Sequence, residues 1–146
     1  MNRRDIMLIG AAGLAVSFVP VTLSASEKET LAQVFAGQKI NQGRVSLTTP
    51  ALAENGNSVA FSIAVDSPMT ATDYCEEIIL FADLNPVPKI VRYRLSPAAG
   101  KASISSRMRF SNSQQVTAVA KMSDGSLWQG TSTTIVTLAA CVEPLL

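Results

Sequence analysis

The chain has 146 residues, 12 Lys plus Arg against 11 Asp plus Glu, two cysteines and no histidine. The missing histidine excludes Ser–His and Cys–His nucleophilic pairs and every His-containing metal site, and two isolated cysteines do not make a zinc or iron–sulfur cluster. A formal net charge of +1 without a basic block excludes a cationic face of the kind phosphate backbones need, so no nucleic acid partner is expected.

Residues 1–25 read as a signal peptide. Arg3-Arg4 and Asp5 precede an apolar run from Ile6 to Val19, followed by Pro20 and the small residues Ser24, Ala25 and Ser26. The paired arginines ahead of a mildly apolar, Gly- and Ala-containing run resemble a twin-arginine signal, which exports folded proteins. The run is short for a span of about 30 Å, so the expectation is cleavage, a periplasmic mature chain and no membrane association afterwards. Removing Arg3, Arg4 and Asp5 leaves the mature net charge near zero.

Residues 26–138 are long enough for one domain with a hydrophobic core. Ser26-Glu-Lys-Glu29 matches a capping box. Leu31, Val34 and Phe35 follow at helical spacing before Gly37, which predicts one short helix. From Arg44 the period becomes two. Val59, Phe61, Ile63 and Val65 alternate with polar neighbours, and Ala102, Ile104, Met108 and Phe110 stand opposite Ser103, Ser105, Arg107 and Arg109. Further strands are predicted near 44–49, 76–82, 89–95, 114–122 and 127–138. Turn signals separate them at 54–57, 85–88, 96–100 and Asp124-Gly125. Asp124-Gly125 predicts a two-residue type I′ hairpin, with positive φ at both positions. Seven antiparallel strands after one short helix make an all-β, immunoglobulin-like β-sandwich the expected fold.

Glu77-Ile-Ile-Leu-Phe-Ala82 is apolar on both faces, which fits either a strand covered on both sides or one whose outer face meets a partner. The face of Ile78–Ala82 is expected to take part in a dimer. Trp128 opens the last strand as a core residue. The glycines stand singly at turns, so no phosphate loop exists. Glu76 and Glu77 are adjacent on a strand and point apart, the wrong arrangement for an acid/base pair. Arg107 and Arg109 share a strand face that suits an anion or a partner carboxylate, though a solvated face is the expected reading. By elimination the chain is expected not to be an enzyme and to need no cofactor.

The chain then runs through Thr134-Ile-Val-Thr-Leu-Ala-Ala to Cys141, followed by Val142-Glu-Pro-Leu-Leu146. Little ordered structure can follow Cys141, because Pro144 cannot donate to a ladder. Residues 139–146 therefore read as a tail that carries a thiol on a short tether. Position alone leaves open whether Cys141 works there, is incidental, or pairs with Cys75.

Several pieces, in order across roughly residues 44–141, resemble the SoxY family, the sulfur-carrier subunit of the thiosulfate-oxidising Sox system. They are Ala53-Glu-Asn-Gly56, Ala82-Asp-Leu-Asn-Pro-Val-Pro88, Ser106-Arg-Met-Arg109, Asp124-Gly-Ser-Leu-Trp128 and a cysteine just beyond the last strand. The resemblance implies an immunoglobulin-like subunit paired with a second sandwich, SoxZ. It also implies that Cys141 is the covalent attachment point for sulfur compounds that separate Sox enzymes conjugate, oxidise and hydrolyse. The family's tail reads Gly-Gly-Cys-Gly-Gly, whereas here Ala139-Ala140 precede the cysteine and Val142 to Leu146 follow it. Those residues stiffen the arm, and Glu143 is expected to raise the pKa of the thiol beside it. Two other readings stay open: a diverged, non-carrying subunit kept for assembly with a SoxZ-like partner, and a periplasmic binding sandwich with a Cys75–Cys141 disulfide. Cys75 itself is expected to be a small buried hydrophobe.

Overall fold

The computed structural model describes residues 29–138, and these form a two-sheet β-sandwich with one helical turn packed outside it. The elements are α1 (Leu31–Val34), β1 (Ile40–Gln42), β2 (Val45–Thr48), β3 (Leu52–Ala53), β4 (Val59–Val65), β5 (Cys75–Phe81), β6 (Lys89–Arg94), β7 (Ser103–Met108), β8 (Gln114–Met122) and β9 (Leu127–Val136). The larger sheet runs β1-β9-β8-β5-β6, with β3 also on β9, and the smaller runs β2-β4-β7. The immunoglobulin-like expectation holds, and all seven predicted strands are present.

Two strands were not predicted, and neither is antiparallel: β1 and β3 both pair parallel to β9. One stretch of chain, 40–53, makes β1 on the larger sheet, crosses to the smaller sheet as β2 and returns as β3. The first crossing turns at Arg44, a non-glycine residue with φ 57°. Its side chain is held on both sides: Nε donates to the Asp66 carbonyl at 3.1 Å, and the guanidinium lies 5.5 Å from the centre of the Trp128 ring. Three- and two-residue strands are too short to show a period, which is why the sequence pattern missed them. Where β2 crosses β9 the backbones nearly touch. A Cβ built on Gly130 would lie 2.2 Å from the Val45 carbonyl oxygen, so only glycine fits.

The core lies between the sheets, where the alternating faces put Val59, Phe61 and Ile63 of β4 against Ile78 and Leu80 of β5 and Val116, Ala118 and Ala120 of β8. A second cluster lies on the outer face of the larger sheet. Ile79, Phe81, Val119 and Leu127 are covered there by Leu31, Val34, Phe35 and Ile40, with Phe35 edge-on to Phe81 at 6.1 Å. This corrects the expected dimer face. Ile78 to Ala82 are all at most 4 % exposed, so both faces of β5 are filled from within the chain. Trp128 is half-buried against the main core rather than inside it.

The helix is shorter than expected and capped elsewhere. Thr30 is its N-cap, and Gln33 Oε1 accepts the Thr30 backbone N–H at 2.9 Å, so the N3 partner is Gln33 and not Glu29. Glu29 is ion-paired to Lys89 of β6 instead, and Ser26 lies outside the described residues. The β8–β9 turn is also corrected. Gly125 alone has positive φ, at 85°, and its N–H bonds the Met122 carbonyl at 2.9 Å. That is a three-residue loop closed by a left-handed glycine, not a type I′ pair. Asp124 accepts both the N–H and the hydroxyl of Ser126, which hold its carboxyl below its ordinary pKa.

Candidate functional site

The end of β9 is where the predicted tether leaves the sandwich, and it is fastened at four successive points. The Val136 N–H donates to Ser113 Oγ at 2.8 Å, and the Thr137 N–H to the Ala53 carbonyl at 3.1 Å. Thr137 Oγ1 donates to the Glu54 carbonyl at 2.9 Å, and the Gly56 N–H to the Leu138 carbonyl at 2.8 Å. Cys141 lies outside the described residues, three positions past this anchor. An extended chain covers at most roughly 10 Å in three residues from this pole.

The same pole carries the motif 82–88, which closes the β5–β6 connection. Sequence reasoning read it only as a turn; the structure shows a latch. Asn85 Oδ1 accepts the Ser111 N–H at 3.0 Å and Gln114 Nε2 at 2.9 Å, while Asn85 Nδ2 donates to the Arg109 carbonyl at 2.7 Å. Ser111 Oγ donates to the Leu84 carbonyl, and Gln114 Oε1 accepts the Leu84 N–H. Ser111 and Gln114 are buried polar residues, and these bonds satisfy them. The latch ties the loop to the start of β8, directly beside Ser113 and the anchor of the tether. Nothing in a lone Asn-Pro dipeptide shows such a partner; the signal lay in the polar pair Ser111 and Gln114 flanking a strand start.

Apolar side chains stand exposed around this end: Leu84, Val87 and Leu138, with Leu52 and Ile135 side by side as register partners of β3 and β9. Arg107 and Arg109 face outward as predicted. Arg107 Nη1 donates to the carbonyl and hydroxyl oxygens of Ser58 at 3.3 and 3.2 Å. Among the described residues no group of three or more Cys, Asp or Glu side chains comes together as a metal site.

Cys75 sits at the opposite pole, paired with Met122 next to the β8–β9 turn, and is fully buried. Burial pushes its thiol up from 9.0 to about 11, against a weaker opposing pull from the Glu77 carbonyl, which accepts its S–H at 3.6 Å. Cys75 is therefore protonated and inert, a packing residue as expected. The geometry argues against a Cys75–Cys141 disulfide. From Met122 to Gln114 along β8 is roughly 27 Å at strand rise, far beyond the reach of three residues from Leu138.

The family profile described as "Sulfur oxidation protein SoxY" matches residues 31–141, ending on Cys141. No curated protein matches the sequence. Among solved structures the chain is similar to a superoxide reductase (neelaredoxin) from Ignicoccus hospitalis. That match has TM-score 0.59 and 13 % identity, and covers 66 % of this chain and 94 % of that one. A superoxide reductase from Nanoarchaeum equitans gives TM-score 0.53 and 11 % identity, covering 65 % and 99 %. At such identities the likeness is one of fold.

Proposed function

The chain belongs to the SoxY family of sulfur oxidation proteins, and from that premise we propose that it is a periplasmic covalent sulfur carrier whose attachment point is Cys141. The observation that carries this reading is a family match running through Cys141, on a chain whose last strand is anchored just before it. The protein supplies a thiol on a short arm and no activating base, since the sequence contains no histidine. Separate Sox enzymes do the chemistry. Loading with thiosulfate joins the Cys141 sulfur to the outer sulfur of the substrate, giving a protein-bound –S–S–SO₃⁻. The thiol proton is released, and two electrons pass to an acceptor on the loading enzyme. A SoxZ-like sandwich subunit is the expected partner, and a face other than that of Ile78–Ala82 must receive it.

The Ala-Ala-Cys-Val-Glu-Pro sequence favours one second reading, a diverged subunit that assembles but does not carry. Mass spectrometry of the protein purified from its own periplasm separates the two. A sulfur adduct on Cys141 supports the carrier, and a free thiol under thiosulfate-oxidising growth supports the assembly subunit. In a reconstituted sulfur-oxidation assay, Cys141→Ser is expected to abolish turnover and Cys75→Ser to leave it largely intact. Full activity in Cys141→Ser defeats the carrier reading.

A further inference from the structure

We propose that the free edge of β7 takes up an extended segment of another protein as an added antiparallel strand, with a carboxylate set against Arg107 and a bulky apolar side chain over Ser105. β7 pairs with β4 alone and so ends the smaller sheet. The Val65 N–H donates to the Ala102 carbonyl at 2.8 Å, and bonded pairs alternate along an antiparallel ladder. The N–H and C=O groups of Ile104, Ser106 and Met108 therefore point to β4. Those of Ser103, Ser105 and Arg107 point away from the sheet, and among the described residues they have no hydrogen-bond partner. Ser106 is exposed although its register partner Phe61 is buried, so no described residue covers this edge. The other edges are shorter or guarded. β1, β2 and β3 have three, four and two residues. β6 carries Lys89, Arg92 and Arg94 and follows Pro86 and Pro88. β7 has six residues, no proline and one charge, which is the kind of edge that strand addition uses.

The outer face beside this edge selects the segment. A groove of about 490 Å³ lies there, and its floor is low because Ala60 and Ser62 of β4 and Ser105 of β7 are short. A residue opposite Ser105 on an added strand faces these short side chains across two strands, leaving room for a Phe- or Leu-sized group. Two residues away on the same face of that strand stands the position opposite Arg107. Arg107 is the only charged residue lining the groove, and among the described residues no carboxylate is ion-paired to it. Its Nη1 is steadied by the carbonyl and hydroxyl of Ser58, which sets the guanidinium for a carboxylate. No Asp or Glu occurs between Asp83 and Asp124, whereas Arg107 and Arg109 lie in that stretch. A second copy fits less well than an acidic segment. In a two-fold pairing centred on Ser105, Arg109 of each copy meets Lys101 of the other, and like charges directly opposite destabilise a sheet. The smaller sheet is antiparallel throughout, so the added strand reads acidic residue, any residue, bulky apolar residue from its N-terminal side. The contact holds for a sulfur carrier and for an assembly subunit alike.

The test uses the full mature chain and a synthetic peptide, acetyl-Thr-Glu-Thr-Phe-Thr-Thr-amide, followed by amide hydrogen exchange and NMR titration. In the chain alone, the amides of Ser103, Ser105 and Arg107 are expected to exchange on the order of ten-fold or more faster than those of Ile104, Ser106 and Met108. Millimolar peptide is expected to protect and shift the first three. Replacing the peptide's Glu with Lys, or its Phe with Ala, should weaken binding several-fold. N-methylation of its Glu and Phe nitrogens should abolish binding, since those N–H groups join the ladder. Arg107→Glu, a change at an exposed position, should reverse the preference between the Glu and Lys peptides. Three amides already protected in the dilute chain, or unmoved by millimolar peptide, overturn the proposal. Protection that grows only with the concentration of the chain itself overturns it in favour of a second copy. Unimpaired binding of the N-methylated peptide overturns strand addition, and equal binding of the Glu and Lys peptides overturns the choice of an acidic segment.

Discussion

At the residue scale Cys75 is a buried thiol, and that much was legible in advance. Cys75 opens a strand with buried neighbours, and a small hydrophobe was the expected role; its burial is complete. The elevated thiol has a thermodynamic signature. The folded pKa, about 11, is above the unfolded value near 9, so the stabilisation is fully present below pH 9 and is lost as pH rises towards 11. Over that window the unfolding free energy is expected to fall by about 2–3 kcal/mol. Cys75→Val, measured by urea unfolding from pH 8 to 11, should lack this component, and an unchanged slope would show that Cys75 is not its source. The latch makes a second prediction. Asn85→Ala leaves the Ser111 N–H without its acceptor and Gln114 Nε2 with only the Asn112 carbonyl, which costs about 1–3 kcal/mol. Chemical denaturation measures it, and a loss below the error of the extrapolation would remove the latch from the list of stabilising contacts.

Among the elements, β4, β5 and β8 were read correctly because each buries at least one face in one core, and β7 because Met108 and the half-buried Ile104 alternate with exposed neighbours. The pieces the sequence hid are those whose geometry is decided by another part of the chain. β1 and β3 exist because β9 offers an open edge at both ends while its middle is crossed by β2. The outer face of β5 is dry because α1 lies on it, and four helical residues carry too little pattern to announce that. The β2–β9 crossing makes its own prediction. Gly130→Ala pushes a methyl group into the Val45 carbonyl, with backbone on both sides and no flexible side chain to yield. The expected cost is about 1–3 kcal/mol, and by thermal unfolding the variant should melt several degrees lower. A native melting temperature would mean that the two strands separate freely at the crossing.

On the scale of the whole molecule, the sandwich and the family were both legible from scattered motifs, while the partner face was not, since apolar residues on both sides of a strand describe a buried strand and an interface equally well. Mixing the purified chain with a SoxZ-like subunit is expected to give a heterodimer burying on the order of 1,200 Å² or more in total. Sedimentation of two unchanged monomers would defeat that expectation. Replacing Arg3 and Arg4 with lysine is expected to leave precursor in the cytoplasm, and unimpaired export would remove the twin-arginine assignment. The four-point anchor of β9 has a further consequence, for encounter rates. In the proposed carrier, an enzyme seated on that pole would meet the Cys141 thiol at an effective concentration set by tether length, of millimolar order for short linkers. That concentration falls roughly as the −3/2 power of length, so loosening the anchor back to about residue 133, which lengthens the chain between anchor and Cys141 from three residues to about eight, would dilute the thiol about four-fold. In the proposed carrier the hydrogen bonds of Thr137 and Leu138 would thus act as a ruler: by stopping the strand from fraying, they would set how often cargo and enzyme collide.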